Sequence, residues 1–213
     1  MGSNVARFAE PAPPEVLEQV AVRLRERNVE ATIVSDASQA RDAVLQRLPA
    51  GVEVHSGKSK TLQDIGVTPE LAEGGQYNYL RNAYLKMDRN TQMREIRKLI
   101  AAPDFMLGSV SAVTQDGILV AGSATASQLG PYASGGGKVI LVVGSQKIVP
   151  DLDSATYPRI RVAMGRRPGA GHGADRILCR QDSDDRAGMG NRENRRDPGT
   201  TAGRDLGGIR FLP

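Results

Sequence analysis

Leu107-Gly108-Ser109-Val110-Ser111-Ala112-Val113-Thr114-Gln115-Asp116-Gly117-Ile118-Leu119-Val120-Ala121 runs from apolar residues into a small-residue turn. A Thr-x-Asp-Gly turn and a second short apolar run follow. Further along stands Lys138-Val139-Ile140-Leu141-Val142-Val143-Gly144, continued by Ser145-Gln146-Lys147-Ile148-Val149-Pro150. Short β-branched runs bounded by Gly and Asp read as buried strands. Loops between such strands carry the polar groups that meet ligands.

Upstream, Pro13-Pro14 opens a helix with Val16, Leu17, Val20, Ala21 and Leu24 at helical spacing. Ala31 to Val34 reads as a strand, and Ser35 or Asp36 caps a helix bearing Ala40, Val44, Leu45 and Leu48. Val52-Glu53-Val54 is the next strand and leads into His55-Ser56-Gly57-Lys58-Ser59-Lys60-Thr61-Leu62. Thr68-Pro69 reads as a helix start, interrupted at Gly74-Gly75. Residues 76–87 hold Tyr77, Tyr79 and Tyr84 and read as a helical arm or partner surface. Asp88 reads as the cap of a helix with Met93, Ile96, Leu99 and Ile100 on one face and four cations elsewhere. Asp151 or Asp153 reads as the cap of a helix from Ala155 to Arg161. Helix and strand alternate, as in an α/β fold with a layered sheet flanked by helices.

The chain of 213 residues suffices for one medium domain. Its net charge of +4 is unevenly spread. Residues 1–163 carry 18 Lys and Arg against 17 Asp and Glu, whereas residues 164–213 carry ten Arg, seven acids and no Lys. The basic excess therefore belongs mostly to the tail. Cys179 is the sole cysteine, which excludes an internal disulfide and Cys-rich zinc or iron–sulfur sites in this chain. No apolar run is long enough to span a bilayer, and residues 1–14 lack the pattern of a secretory signal. A cytoplasmic protein without membrane insertion is the expectation.

Residues 1–12 read as a flexible lead-in and 13–163 as the α/β domain. Residues 164–213, with ten Gly, ten Arg and six Asp, show a period of neither 2 nor 3.6. Such composition predicts a disordered or aberrant tail. Its arginines lack an aromatic platform for bases, so nucleic acid is not the expected partner.

Four loops carry candidate chemistry. Ser56, Gly57, Lys58, Ser59 and Thr61 follow a strand and precede a helix, a place that presents backbone N–H groups to an anion. The phosphate-loop motif needs a glycine five residues before Gly57, where Val52 stands, so the nucleotide-hydrolase pattern fails. An anion loop and an ordinary strand-to-helix turn both fit these residues. Gly108 and Ser109, with Thr114, Asp116 and Gly117, offer hydroxyls and amides to a phosphate or carboxylate, although Asp116-Gly117 is also a good hairpin turn. Gly122–Ser127 and Ser134–Lys138 are small-residue loops. Gly144 and Lys147 place a lysine after a buried strand, either in a cleft or in solvent. His172 and Cys179 have no companions for a metal site, and no nucleophile elbow or hydrolase triad occurs, so no catalytic residue is assigned.

Three blocks together resemble the LUD domain, the lactate-utilization protein family, in its C-subunit-like form. They are Ser59 to Ile65-Gly66, Gly-Ser-Val-Ser-Ala-Val-Thr-x-Asp-Gly at 108–117, and Lys-Val-Ile-x-Val-Val-Gly-x-x-Lys-Ile-Val-Pro-Asp-Leu-x-x-Ala at 138–155. The resemblance implies an α/β sandwich like those of the sugar-phosphate isomerase and CoA-transferase superfamily. It also implies a part in oxidising L-lactate to pyruvate beside iron–sulfur partner subunits, with the clusters on those partners and no cofactor in this chain. Ser59, Thr61, Gly108, Ser109, Ala112, Thr114, Asp116, Gly117, Gly144 and Lys147 fall on the family's patterned loops. Two other roles follow from the same residues: a non-catalytic docking subunit, with Tyr77, Tyr79 and Tyr84 facing the partner, or an inactive truncated copy. The family's later strands cannot be read after Leu152, which predicts a C-terminally incomplete domain. The tail has the composition that out-of-frame reading of a GC-rich gene produces, with the frame changing between about Leu152 and Met164.

Overall fold

The computed structural model describes residues 10–123, 127–155, 177–180 and 209–212. Helix α1 (Pro14–Glu26) leads to β1 (Ala31–Ile33), α2 (Ala37–Leu45) and β2 (Glu53–Ser56). Short helices α3 (Lys60–Asp64) and α4 (Val67–Glu73) precede β3 (Asn78–Tyr79), α5 (Leu80–Tyr84) and α6 (Met93–Ala101). Then come β4 (Phe105–Gly108), β5 (Ala112–Thr114), β6 (Leu119–Ser123), a π-helical turn (Pro131–Gly135) and β7 (Lys138–Gly144). A 3-10 turn (Ser145–Lys147), β8 (Ile148–Val149), β9 (Ile177–Arg180) and β10 (Ile209–Leu212) complete the described elements.

Six strands form a parallel sheet in the order β1-β10-β7-β4-β2-β3. A parallel sheet is covered on both faces, so its central strands read as continuous apolar runs. β7 follows this rule. Leu141 and Val143 join the core beneath α1, whereas Ile140 and Val142 join the core beneath α2, α3 and α4. Leu17, Val20, Ala21 and Leu24, the helical stripe of α1, are all buried against the first core. The second sheet, β8-β5-β6-β9, is built on the β5–β6 hairpin and is mixed in direction. The layered α/β architecture expected from the alternation is therefore present.

Among the described residues two strands follow residue 163. β10 inserts between β1 and β7, and β9 pairs with β6. Four residues are too few to display a period, and a strand flanked on both sides draws its hydrogen bonds from its neighbours. The other residues of 164–213, and residues 1–9, lie outside the described ones. α4 begins at Val67, two residues before Pro69, because Gly66 takes a left-handed φ of 79° at its N-cap. The expected cap residue of α6, Asp88, instead accepts from Asn90 N and Thr91 Oγ1, and the helix begins at Met93. Asp151 accepts from Ser154 N, and helical residues begin at Leu152; residues 156–161 lie outside the described ones. The tyrosine arm folds inward. Tyr79 and Tyr84 are buried, because the register of β3 and α5 turns them toward β2.

Candidate functional site

β2, β4 and β7 are neighbours in the parallel sheet and run the same way to Ser56, Gly108 and Gly144, β7 continuing three residues past Leu141, the partner of Gly108. Their following loops therefore leave from one edge of the sheet. In open α/β sheets this carboxyl end is where ligands bind. Residues far apart in the chain meet there: Lys147 Nζ donates to Ser109 Oγ at 2.7 Å and to Thr61 Oγ1 at 3.3 Å. Each hydroxyl oxygen accepts from the ammonium group, so each keeps its own O–H to donate elsewhere. Among the described residues neither hydroxyl has another hydrogen bond. One cation and two directed donors thus stand at one point, which is the chemistry that holds an oxyanion.

The glycines of these loops admit close neighbours. A Cβ on Gly108 would overlap the Tyr132 hydroxyl, which donates to Ser109 O at 3.3 Å. Burial pushes the Tyr132 phenol up to about 12, against a smaller lowering by the Ser109 backbone. Tyr132 is therefore a neutral donor that fixes the Ser109 backbone. At Gly57 a Cβ would stand 2.8 Å from Gln128 Oε1, and Gln128 Nε2 donates to Gly122 O at 3.3 Å. Gln128 thereby ties the loop after β2 to the end of β6. Ser145, at the start of the turn that carries Lys147, is fully buried, and its hydroxyl has no hydrogen-bond partner among the described residues.

The remaining sequence candidates take other places. Ser56 Oγ shares a 2.6 Å hydrogen bond with the Tyr79 hydroxyl. Ser59 caps α3, accepting from Leu62 N at 3.3 Å. Lys58 is exposed. Thr114, Asp116 and Gly117 form the turn of the β5–β6 hairpin. Thr114 Oγ1 donates to the Asp116 carboxylate and accepts from Ile118 N at 2.9 Å, and Gly117 takes a φ of 87°. This turn packs on α1: Arg27 Nε donates to Asp116 O, and a Cβ on Gly117 would stand 3.2 Å from Arg23 Cβ. The structure thus joins Thr61, Ser109 and Lys147, and sets Thr114, Asp116 and Gly117 against a helix. Tyr132, Gln128 and Ser145 are additions that residue pattern does not mark. The one sequence signal for Tyr132 is Gly108, whose missing side chain leaves it room.

Beneath the loop after β2, His55 is buried with Nδ1 unpartnered among the described residues, its ring meeting Tyr84 edge-on at 5.8 Å. Burial, with the Arg81 charge adding to it, lowers His55 to about 4, so the imidazole is neutral near pH 7. Among the described residues no three of His, Cys, Asp and Glu gather as a metal site requires, and no helix is long and apolar enough to cross a membrane.

The sequence matches the LUD domain family over residues 17–168, more than half of the chain. The chain belongs to the LUD domain family. Membership connects it, at the level of the family, with lactate utilization. The fold agrees with a solved structure of a DUF162 family protein from Deinococcus radiodurans, with a TM-score of 0.53 and 13% identity. That likeness covers 93% of this chain and 97% of the other. No curated protein matches the chain. In this LUD domain Thr61 comes from the first turn of α3, Ser109 from the loop after β4 and Lys147 from the 3-10 turn after β7.

Proposed function

We propose that this LUD domain binds a small anionic ligand at Thr61, Ser109 and Lys147 and acts in L-lactate utilization. The observation that carries the reading is the Lys147 ammonium group bonded to two hydroxyls at the carboxyl edge of the sheet. A carboxylate or phosphate oxygen would take the remaining O–H donors and the positive charge, with ionised partners giving the stronger hydrogen bonds. Gly57, Gly108 and Gly144, in the same three connections, leave room for Gln128, Tyr132 and Gln146 to pack against the backbone. The family connection favours lactate oxidation to pyruvate as the setting. Iron–sulfur subunits would then carry the electrons, and this chain would hold the anion.

Thermal denaturation of the purified protein with L-lactate, pyruvate, inorganic phosphate and CoA esters tests the reading. A ligand at a hundredfold excess over its Kd stabilises the folded state by about 2.7 kcal/mol. The expected result is a raised melting temperature with at least one of these anions, lost in Lys147→Met. A melting temperature that no anion moves would remove the proposal.

A further inference from the structure

Residues 81–98 carry six Lys and Arg and two acids, whereas the rest of residues 1–163 carries twelve and fifteen. A nearly neutral domain therefore concentrates positive charge on one arm. The arm is α5, a turn held by Asp88, and α6, with α5 packed on α6. Arg81 donates to the Tyr84 hydroxyl, and Arg97 Nε to Met93 O. Lys86, Arg89, Arg94 and Lys98 are exposed and form no ion pair among the described residues. Arg94 and Lys98 lie one turn apart on α6, on the same side. Among these cations two apolar side chains face solvent, Leu85 at 55% and Met93 at 39% exposure. α6 itself buries only Ile96.

We propose that this arm docks an acidic protein surface, with Leu85 and Met93 entering apolar contacts and Lys86, Arg89, Arg94 and Lys98 pairing with carboxylates around them. The charge sets the partner's sign, and the two apolar side chains set its class. A nucleic acid would use the cations but leave Leu85 and Met93 uncovered. The arm also gives it no aromatic platform, since Tyr79 and Tyr84 are buried. A bilayer surface holds a helix through its buried apolar area, and α6 is nine residues long with Met93 its exposed large apolar residue. The bonds of Lys147 to Thr61 and Ser109 involve no residue of the arm, so the proposal does not depend on the anion site.

Photo-crosslinking in the cells that make the protein tests it. The photoreactive p-benzoylphenylalanine replaces Leu85 or Met93, with Val22, exposed on α1, as the control position. The expected result is one protein adduct from both arm positions and none from Val22. Its crosslinked peptide would carry an excess of Asp and Glu. The adduct should fall by about tenfold or more in Arg94→Glu/Lys98→Glu and again in Lys86→Glu/Arg89→Glu. These two pairs lie on different segments of solvated residues, and circular dichroism confirms that each variant is folded. Adducts to nucleic acid or lipid, equal adducts from Val22, no adduct, or yields unmoved by both reversals would each overturn the proposal.

Discussion

Lys147 Nζ lies 2.7 Å from Ser109 Oγ, across the gap between the ends of two adjacent parallel strands. Replacing Lys147 by Met removes the charge and keeps most of the side-chain volume. The pair is partly exposed, so the fold should lose about 1 kcal/mol or less. Anion-induced stabilisation should disappear. Calorimetric melting with and without the responding anion separates the two effects, and Ser109→Ala should produce a weaker form of the same loss.

Gly108 makes room for Tyr132. Gly108→Ala forces the phenol away and should cost on the order of 1–3 kcal/mol, as overpacking does. Tyr132→Phe deletes the nearest of the atoms that the new methyl would meet, leaving the ring carbon Cζ at 2.7 Å. Part of the loss should therefore return in the double variant. Denaturant unfolding of the four proteins gives the coupling energy directly, and additive losses would contradict the contact.

His55 makes stability depend on pH. Its folded pKa of about 4 lies below the ordinary value of 6.5, so the unfolded chain binds the proton more readily between these values. Stability should be complete above about pH 6.5 and should fall as pH drops toward 4. A tenfold change in proton affinity corresponds to about 1.4 kcal/mol, giving a loss on the order of 3 kcal/mol across the window. In His55→Leu the slope of unfolding free energy against pH, followed through that window, should flatten by most of that amount.

Thr114 serves the hairpin. Thr114→Val leaves the buried Ile118 N–H without its side-chain partner and should cost about 1–3 kcal/mol. The anion response should keep its size, because the β5–β6 turn packs on α1 and not on Lys147. A lost response with a stable fold would move Thr114 into the ligand site.

The apolar stripe of α1, the runs of β4 and β7 and the Asp36 cap are local patterns, and they are legible from residue spacing. The meeting of Thr61, Ser109 and Lys147 is not local. It depends on β4 lying between β2 and β7, a strand order that spacing does not encode. Tyr77, Tyr79 and Tyr84 show the same limit. Their spacing marks an arm, yet the register of β3 and α5 decides that Tyr79 and Tyr84 face inward and leave the cations outside. β9 and β10 are illegible because four-residue strands in Arg- and Gly-rich surroundings carry too few residues for a pattern.

Among the described residues, β1 has a single neighbour in the six-stranded sheet, and that neighbour is β10. Among the described residues, residues 31–33 pair into the sheet through residues 209–211. During synthesis from the N-terminus, α1 and β1 emerge long before the strand that connects them to β7. β2, β4 and β7 are all made before the strand that lies between β1 and β7. Closing the sheet then spans nearly the whole chain, the kind of long-range pairing that makes folding slow. The β1–β10 pairing thus links residues 31–33 with residues 209–211, from opposite parts of the given sequence.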